Sequence, residues 1–205
     1  MNINNKNIPQ IVFINLDKRT DRREQIEKEL TEYELPFERF NAIHNRFGIV
    51  GCTQSHLEVL KLAKTRGYKS VLILEDDFTF LVSRKEFEDE MEKICNSGID
   101  YDVCMLAYNL FDSVEIPEYF FLRKVLNAQT ASAYIVKEHY YDVLIQLYEH
   151  NIPLLKSTAE HWNYANDQCW KVLQKKDNWI YTTLRIGKQR DGFSDNAQAY
   201  MNYNC

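Results

Sequence analysis

The feature most clearly suited to chemistry is a run of three carboxylates, Glu75-Asp76-Asp77, directly after the apolar segment 70–74. Uncompensated negative charge at the end of a buried strand is costly, so a positive partner is expected there. Mg²⁺ and Mn²⁺ take oxygen ligands and commonly bridge carboxylates to phosphate oxygens. Because alternate strand residues share a face, Asp77 and Glu75 are the predicted metal ligands. The alternative is a solvated turn in which Asp76 or Asp77 caps the next helix.

A second candidate is the basic segment 18–23, which follows the first predicted strand and opens a helix. Arginine forks match phosphate oxygens, and the field at a helix N-terminus favours an anion. The segment therefore predicts a phosphate contact through Arg19 and Arg22. The alternative is a solvated amphipathic helix with ion pairs four residues apart, such as Arg23 with Glu27.

The aromatic-rich stretch 161–170 contains a single carboxylate, Asp167. Aromatic faces beside a carboxylate suit a sugar ring, which is apolar on its C–H faces and polar at its rim. In the alternative interpretation, Trp162 and Trp170 are core anchors of a helix.

Motifs of several other enzyme classes are missing from the sequence. It has no Gly-x-Ser-x-Gly elbow, Walker loop, Gly-x-Gly-x-x-Gly fingerprint, His-x-x-x-His pair or Cys-x-x-Cys pair. A hydrolase triad, a P-loop enzyme and a dinucleotide enzyme are therefore disfavoured. The five cysteines are expected to be mostly buried thiols rather than a zinc or disulfide framework.

The predicted strands and helices bring the acidic run 75–77 and the basic segment 18–23 to one edge of a sheet. Strands at Gln10–Asn15 and 70–74 alternate with helices over the first 110 residues, which predicts an α/β sheet with mixed pairing later. Ser55 or Thr53 is expected to cap the second helix, segment 118–125 to form an edge strand, and segment 132–136 a further strand. Ligands of such sheets bind at the carboxyl ends of the strands, which adds residues 15–17, Asn-Leu-Asp, to the site.

Composition limits the partners and the cellular location. The 205 residues are 45% hydrophobic and 27% charged, as in ordinary globular proteins, and the formal net charge of −5 argues against nucleic acid. No apolar run approaches a membrane span, and residues 1–10 lack the apolar core of a signal peptide. We therefore expect a cytoplasmic protein, with peripheral membrane contact left open.

Several segments in order resemble glycosyltransferase family 25, which includes lipooligosaccharide and collagen galactosyltransferases. The resemblance spans nearly the whole chain. It rests on FINLDKRTDRRE from residue 13, GIVGCTQSHLEVLKLA from residue 48, VLILEDDF from residue 71, TASAYIV from residue 130 and QRDGFSD from residue 189.

The resemblance implies a GT-A type fold, one mixed and mainly parallel sheet flanked by helices. The whole chain, 1–205, would form one domain, with residues 1–110 binding the nucleotide-sugar and 111–205 forming the acceptor side. It also implies a UDP-sugar donor, with galactose or glucose, inversion at the anomeric carbon, and Mn²⁺ or Mg²⁺. The acceptor would be a glycan, a lipid-linked glycan or a glycosylated protein.

Roles for individual residues follow from combining the resemblance with the chemistry above. Asp167 is the candidate general base, with Asp195 of the last motif behind it. The predicted donor-binding residues are Asn15, Leu16, Asp17, Arg19, Arg22, Ser55, His56, Glu75 and Asp76.

Two other functions remain open at this stage. One is a binding protein of the same fold without turnover, which the intact acidic run disfavours. The other is a nucleotidyltransferase, and such enzymes usually open with a glycine-rich loop, whereas LDKRTDRR has no glycine.

Overall fold

A central sheet flanked by helices is the main feature of a computed structural model, which describes residues 8–194 and 199–202. The strands are β1 (Gln10–Asn15), β2 (Phe37–Asn41), β3 (Ser70–Glu75), β4 (Phe78–Phe80), β5 (Val103–Glu115), β6 (Leu122–Lys137), β7 (Trp179–Thr182), β8 (Gly187–Gln189), β9 (Gly192–Ser194) and β10 (Ala199–Met201). The helices are α1 (Thr20–Glu32), α2 (Gly48–Thr65), α3 (Arg84–Ser97), α4 (Tyr141–Thr158), α5 (His161–Tyr164), α6 (Asn166–Cys169) and α7 (Lys171–Gln174), with a 3-10 turn at Glu138–Tyr140.

Six strands form the central sheet in the order β2-β1-β3-β6-β5-β7. Strands β1, β2 and β3 are mutually parallel, and β5 and β7 are parallel to each other. Only β6 among these six runs the other way, pairing antiparallel with β3, β5 and β7. The predicted mixed, mainly parallel α/β sheet is thereby confirmed.

The sheet is buried on both faces because successive side chains of each strand enter different cores. In β1, Val12 and Ile14 belong to one cluster of buried apolar side chains, whereas Ile11 and Phe13 belong to the other. Helices α2 and α4 contribute to the first cluster, and α1 and α3 contribute to the second. This two-sided burial explains why β3 reads as an uninterrupted apolar run.

Two predictions about the later strands and the caps were wrong. The segment at 118–125 was expected to be an edge strand, but only 122–125 lies in a strand, and this is the start of β6, between β3 and β5 in the sheet. The predicted strand at 132–136 is the last part of the same β6 and not a separate strand. Helix α2 begins at Gly48, so Thr53 and Ser55 lie inside it and bond back to the carbonyls of Ile49 and Gly51. Inside a helix, a short hydroxyl side chain can bond back to the carbonyl four residues earlier.

The acidic residues after β3 do not cap a helix either. The chain continues from Asp77 into β4, and α3 is capped by Ser83, whose hydroxyl accepts a bond from the Glu86 amide. The capping alternative for Asp76 and Asp77 is therefore wrong. Within the described part of the chain, no helix has the length and apolar character needed to cross a bilayer.

Candidate functional site

The carboxyl ends of β1 and β3 form the floor of a cavity of about 330 Å³. The two strands are neighbours, with Ile14 beside Glu75, so the loop after β1 and the acidic turn after β3 face the same space. This volume lies at the lower end of the range of about 300–1,000 Å³ for small-molecule sites. Its wall carries cationic side chains from Lys18, Arg19, Arg22 and Arg46 and carboxylates from Glu75, Asp76 and Asp77.

Arg22 is the counter-ion of the two aspartates of the acidic turn. Its Nη1 atom lies 2.9 Å from Asp76 Oδ1 and 2.8 Å from Asp77 Oδ2. Asp76 and Asp77 are only 8% and 6% exposed, so the contact is largely shielded from water. The predicted phosphate ligand Arg22 is thus the counter-ion of Asp77, a predicted metal ligand, and of Asp76, a predicted donor-binding residue.

A second set of contacts holds Asp76 from the β1 side. Asn15 Nδ2 donates to Asp76 Oδ2 at 2.8 Å, and Arg39 Nε donates to Asn15 Oδ1 at 3.0 Å. Asp17 also bonds to Arg39 and Asn41, which lowers the Asp17 pKa mainly through the Arg39 hydrogen bond. Asn15 therefore acts through Asp76, and Asp17 is turned toward β2.

The segment that ends with β9 closes the other side of the acidic turn. Strand β8 pairs with β4, the Arg190 amide donates to the Asp77 carbonyl, and Gln189 Nε2 donates to Asp77 Oδ2 at 3.1 Å. Gly187 permits this pairing, because a Cβ there would lie 2.1 Å from the Phe78 ring. The Phe193 carbonyl accepts from both Arg19 and Arg22.

Helix α2 supports the opposite wall. Gly51 allows the loop after β2 to approach, since a Cβ there would lie 2.3 Å from the Ile43 carbonyl oxygen. Ser55 Oγ accepts from the Ile43 amide at 2.8 Å, which ties the loop to the helix. His56 is fully buried, with Nε2 3.1 Å from Glu75 Oε1 and Nδ1 2.8 Å from the Tyr134 hydroxyl.

Asp167 lies close enough to Glu75 for the Glu75 charge to raise the Asp167 pKa, but Asp167 is not part of the cavity wall. Burial, followed by the Glu75 charge, raises its pKa, while the Thr130 amide donates to Oδ2 at 3.1 Å and opposes that shift. Thr130 has φ +83°, a rare conformation for a β-branched residue. A strained backbone thus presents its N–H to the predicted base.

The two tryptophans of this stretch have different environments. Trp170 is fully buried against Tyr134 and Trp179, as the core alternative predicted, whereas Trp162 is 61% exposed. The sequence predicts one helix over about 161–175, but this stretch forms three short helices, α5, α6 and α7.

Asp77 carries the main indication of a cation site. Its Oδ1 atom is buried and has no hydrogen-bond partner among the described residues. Burial and the Glu75 charge raise the Asp77 pKa to about 7, despite the opposing charge of Arg22. A carboxylate oxygen left without a donor fits a divalent cation, which would supply the missing positive charge.

The predicted site residues fall into three groups. Those that line the cavity are Leu16, Arg19, Arg22, Ser55, His56, Glu75, Asp76 and Asp77. Asn15, Asp17 and Asp167 are not part of its wall, and Asp195 lies outside the described residues. Sequence reasoning missed Cys52 and Gln189, although both belong to segments quoted for the family resemblance.

The chain is similar to proteins described as glycosyltransferases. The chain is 33% identical over 109 residues to a putative glycosyltransferase, R655, of Acanthamoeba polyphaga mimivirus, covering 42% of this chain and 32% of that protein. The fold is similar to that of the glycosyltransferase GlyE of Streptococcus pneumoniae TIGR4, with a TM-score of 0.51 and 12% identity over 84% of this chain and 44% of that one.

These matches identify a fold of the GT-A glycosyltransferase type. The chain spans about a third of the mimivirus protein and less than half of GlyE. No protein-family model matches the chain, so the resemblance to family 25 stays a prediction.

The buried Asp77 carboxyl predicts a pH-dependent stability. Because folding raises the Asp77 pKa from 3.8 to about 7, the carboxyl stays protonated to a higher pH in the folded protein than in the unfolded chain. The associated stability is complete below about pH 4 and is lost as the pH rises through about 7. We expect the free energy of unfolding, measured with urea in EDTA, to fall less between pH 4.5 and pH 8 for Asp77→Asn than for the wild type.

The exposed carboxylate of Asp89 provides a control, because it pairs only with Lys85 on the surface of α3. Asp89→Asn should follow the wild-type pH dependence. Parallel curves for wild type and Asp77→Asn would contradict a neutral Asp77 in the folded protein.

Proposed function

We propose that this chain is a metal-dependent inverting glycosyltransferase that transfers galactose or glucose from a UDP-sugar to an acceptor hydroxyl. The observation that supports this most is the cavity at the ends of β1 and β3, where arginines and a buried acidic turn lie together. A nucleoside diphosphate needs both cationic side chains and a cation-binding carboxylate. The sequence match and the GT-A type fold agree with this chemistry.

The donor diphosphate would lie among the cationic side chains of the loop after β1. Lys18 and Arg19 line the cavity there, and Arg46 lines it from the loop before α2. Arg22 reaches the same space but is engaged by Asp76 and Asp77. Arg22 can contact phosphate once another positive charge has taken over those carboxylates.

The cation would be held by Asp77 through its unpartnered Oδ1, with Glu75 as the second predicted ligand. Mn²⁺ or Mg²⁺ suits these oxygen ligands. When bound, the ion neutralises negative charge on the departing diphosphate. Gln189 donates to the other oxygen of Asp77, and so orients its carboxylate.

Asp167 would accept the proton of the acceptor hydroxyl. Its raised pKa makes it a better base than an ordinary surface aspartate, and the Thr130 amide fixes its carboxylate. In this assignment residues 1–110 bind the donor and 111–205 form the acceptor side, with Asp195 as the second candidate base. The proposed acceptor is a sugar hydroxyl of a glycan, such as a lipooligosaccharide, or a hydroxyl of a collagen-like protein.

The proposal predicts metal-dependent UDP release. The wild type, screened with UDP-galactose and UDP-glucose plus Mn²⁺, should release UDP, lose this activity in EDTA and regain it when Mn²⁺ is restored. Asp77→Ala should lower the rate at least a hundredfold, because it removes the carboxylate that holds the cation. A coupled enzyme assay for released UDP, run in phosphate-free buffer, measures both the metal dependence and the loss of rate in Asp77→Ala.

Asp142→Ala is the matched control, since Asp142 is an exposed carboxylate that pairs with Lys64 on the surface. It should keep wild-type activity. Full activity in EDTA or in Asp77→Ala would contradict the metal role. UDP-sugar binding without any release would instead indicate a binding protein of the same fold.

Asp167→Asn should lower kcat by a factor of about 10²–10⁴ while leaving the donor affinity nearly unchanged. The amide keeps the size of the side chain and its bond from Thr130 but cannot take a proton. Steady-state kinetics with UDP-sugar and acceptor, together with calorimetry of UDP binding, separates the two effects. Near-normal kcat would exclude Asp167 as the base and make Asp195 the next residue to replace.

A further inference from the structure

A thiol, an imidazole and a carboxylate meet between α2 and β3, beside the acidic turn. Cys52 Sγ lies 3.5 Å and His56 Nε2 lies 3.1 Å from Glu75 Oε1. All three ligand atoms are within 4.8 Å of one another. Cys52 and His56 are four residues apart on α2, so the helix itself places both on one face.

The two distances to Glu75 Oε1 are close to those of a tetrahedral zinc site. Zinc bonds of about 2.3 Å to sulfur, about 2.0 Å to nitrogen and about 2.1 Å to oxygen give S···O and N···O edges of about 3.6 and 3.4 Å. The observed S···O and N···O distances are 3.5 and 3.1 Å. Along these two edges, binding of a cation needs the ligand atoms to move apart by only about 0.1 and 0.3 Å.

Tyr134 gives His56 the support that a metal-binding imidazole usually has. Its buried hydroxyl lies 2.8 Å from His56 Nδ1 and can act as donor or acceptor. Without a metal, the hydroxyl donates to Nδ1, and Nε2–H donates to Glu75. With a metal, Nδ1–H donates to the hydroxyl, which leaves the Nε2 lone pair for the ion.

The ligand types differ from those of a magnesium site, and the cavity makes them accessible to an ion. Sulfur and imidazole nitrogen favour Zn²⁺, whereas Asp77 offers only carboxylate oxygen. Cys52, His56 and Glu75 all line the donor cavity, which gives an ion a path from solvent.

We propose that Cys52, His56 and Glu75 form a zinc site, with a fourth coordination position open to the cavity, which shares Glu75 but not Asp77 with the proposed oxygen site. On binding, the Cys52 thiol loses its proton to solvent, and the thiolate and the Glu75 carboxylate balance the charge of the ion. Three protein ligands and one open position are the arrangement in which zinc binds an exchangeable water or ligand. The site needs no glycosyl transfer to form, so it can be tested independently of the proposed function.

Cobalt is a spectroscopic substitute for zinc because a cobalt–thiolate bond absorbs in the near ultraviolet. Metal-free protein titrated with Co²⁺ should develop this band with one equivalent, and Zn²⁺ should abolish it by displacement. Cys52→Ser should lose the band and bind Zn²⁺ at least a hundredfold more weakly in calorimetry. Glu75→Gln, which keeps the thiol and imidazole, should retain the band but weaken Zn²⁺ binding at least tenfold.

Two variants control for other thiols and for the acidic turn. Cys95→Ser, which alters an exposed thiol on α3, and Asp77→Asn should both keep the cobalt band. Circular dichroism and thermal melting establish that each variant is folded. The proposal would be overturned if the wild type lacked the band or if the band survived in folded Cys52→Ser. Equal Zn²⁺ affinity of the wild type and Cys52→Ser would also overturn it.

Discussion

The contact between Arg22 and the two aspartates after β3 is the interaction on which the site depends. Two carboxylates that are less than a tenth exposed would repel each other and lose hydration if nothing positive lay between them. One guanidinium nitrogen lies within 2.9 Å of both. Removing it would leave buried charge without compensation, so Arg22 is as much a part of the folded structure as of the binding site.

Separate parts of the chain converge on this ion pair. Strand β1 supplies Asn15 against Asp76, α1 supplies Arg22, and the segment from β8 to β9 supplies Gln189 and the Phe193 carbonyl. These contacts satisfy one oxygen of Asp77 and leave Oδ1 without a donor. Arg22 therefore compensates only part of the negative charge of the acidic turn, and Asp77 Oδ1 still has a place for a cation.

The positions of the strands, and hence the edge of the sheet that carries the site, could be predicted from local patterns. The apolar run of β3 predicts the strand itself, and the polar residues that directly follow β1 and β3 predict that the site lies at the ends of these strands. The partner of Arg22 could not be predicted in this way, because Asp76 and Asp77 lie 54 and 55 residues away. Arginine matches phosphate and carboxylate equally well, and only the tertiary structure distinguishes them.

The same reasoning explains what was missed around α2. The Cys52–His56 spacing is visible in the sequence, but Glu75 and Tyr134 join it only through the packing of α2 on the sheet. Thr53 and Ser55 looked like caps because the helix was expected to begin later than Gly48. The unusual backbone at Thr130 leaves no trace in residue type, since threonine normally avoids a positive φ.

The central claim is that Arg22 provides, in the metal-free protein, the positive charge that a cation supplies when bound. The most direct test is the Mn²⁺ affinity of Arg22→Gln without nucleotide, measured by calorimetry beside Arg23→Gln. Arg23 pairs with Glu27 on the outer face of α1, so its variant should match the wild type. Arg22→Gln should bind Mn²⁺ at least tenfold more tightly, about 1.4 kcal/mol. Unchanged or weaker binding would contradict the claim.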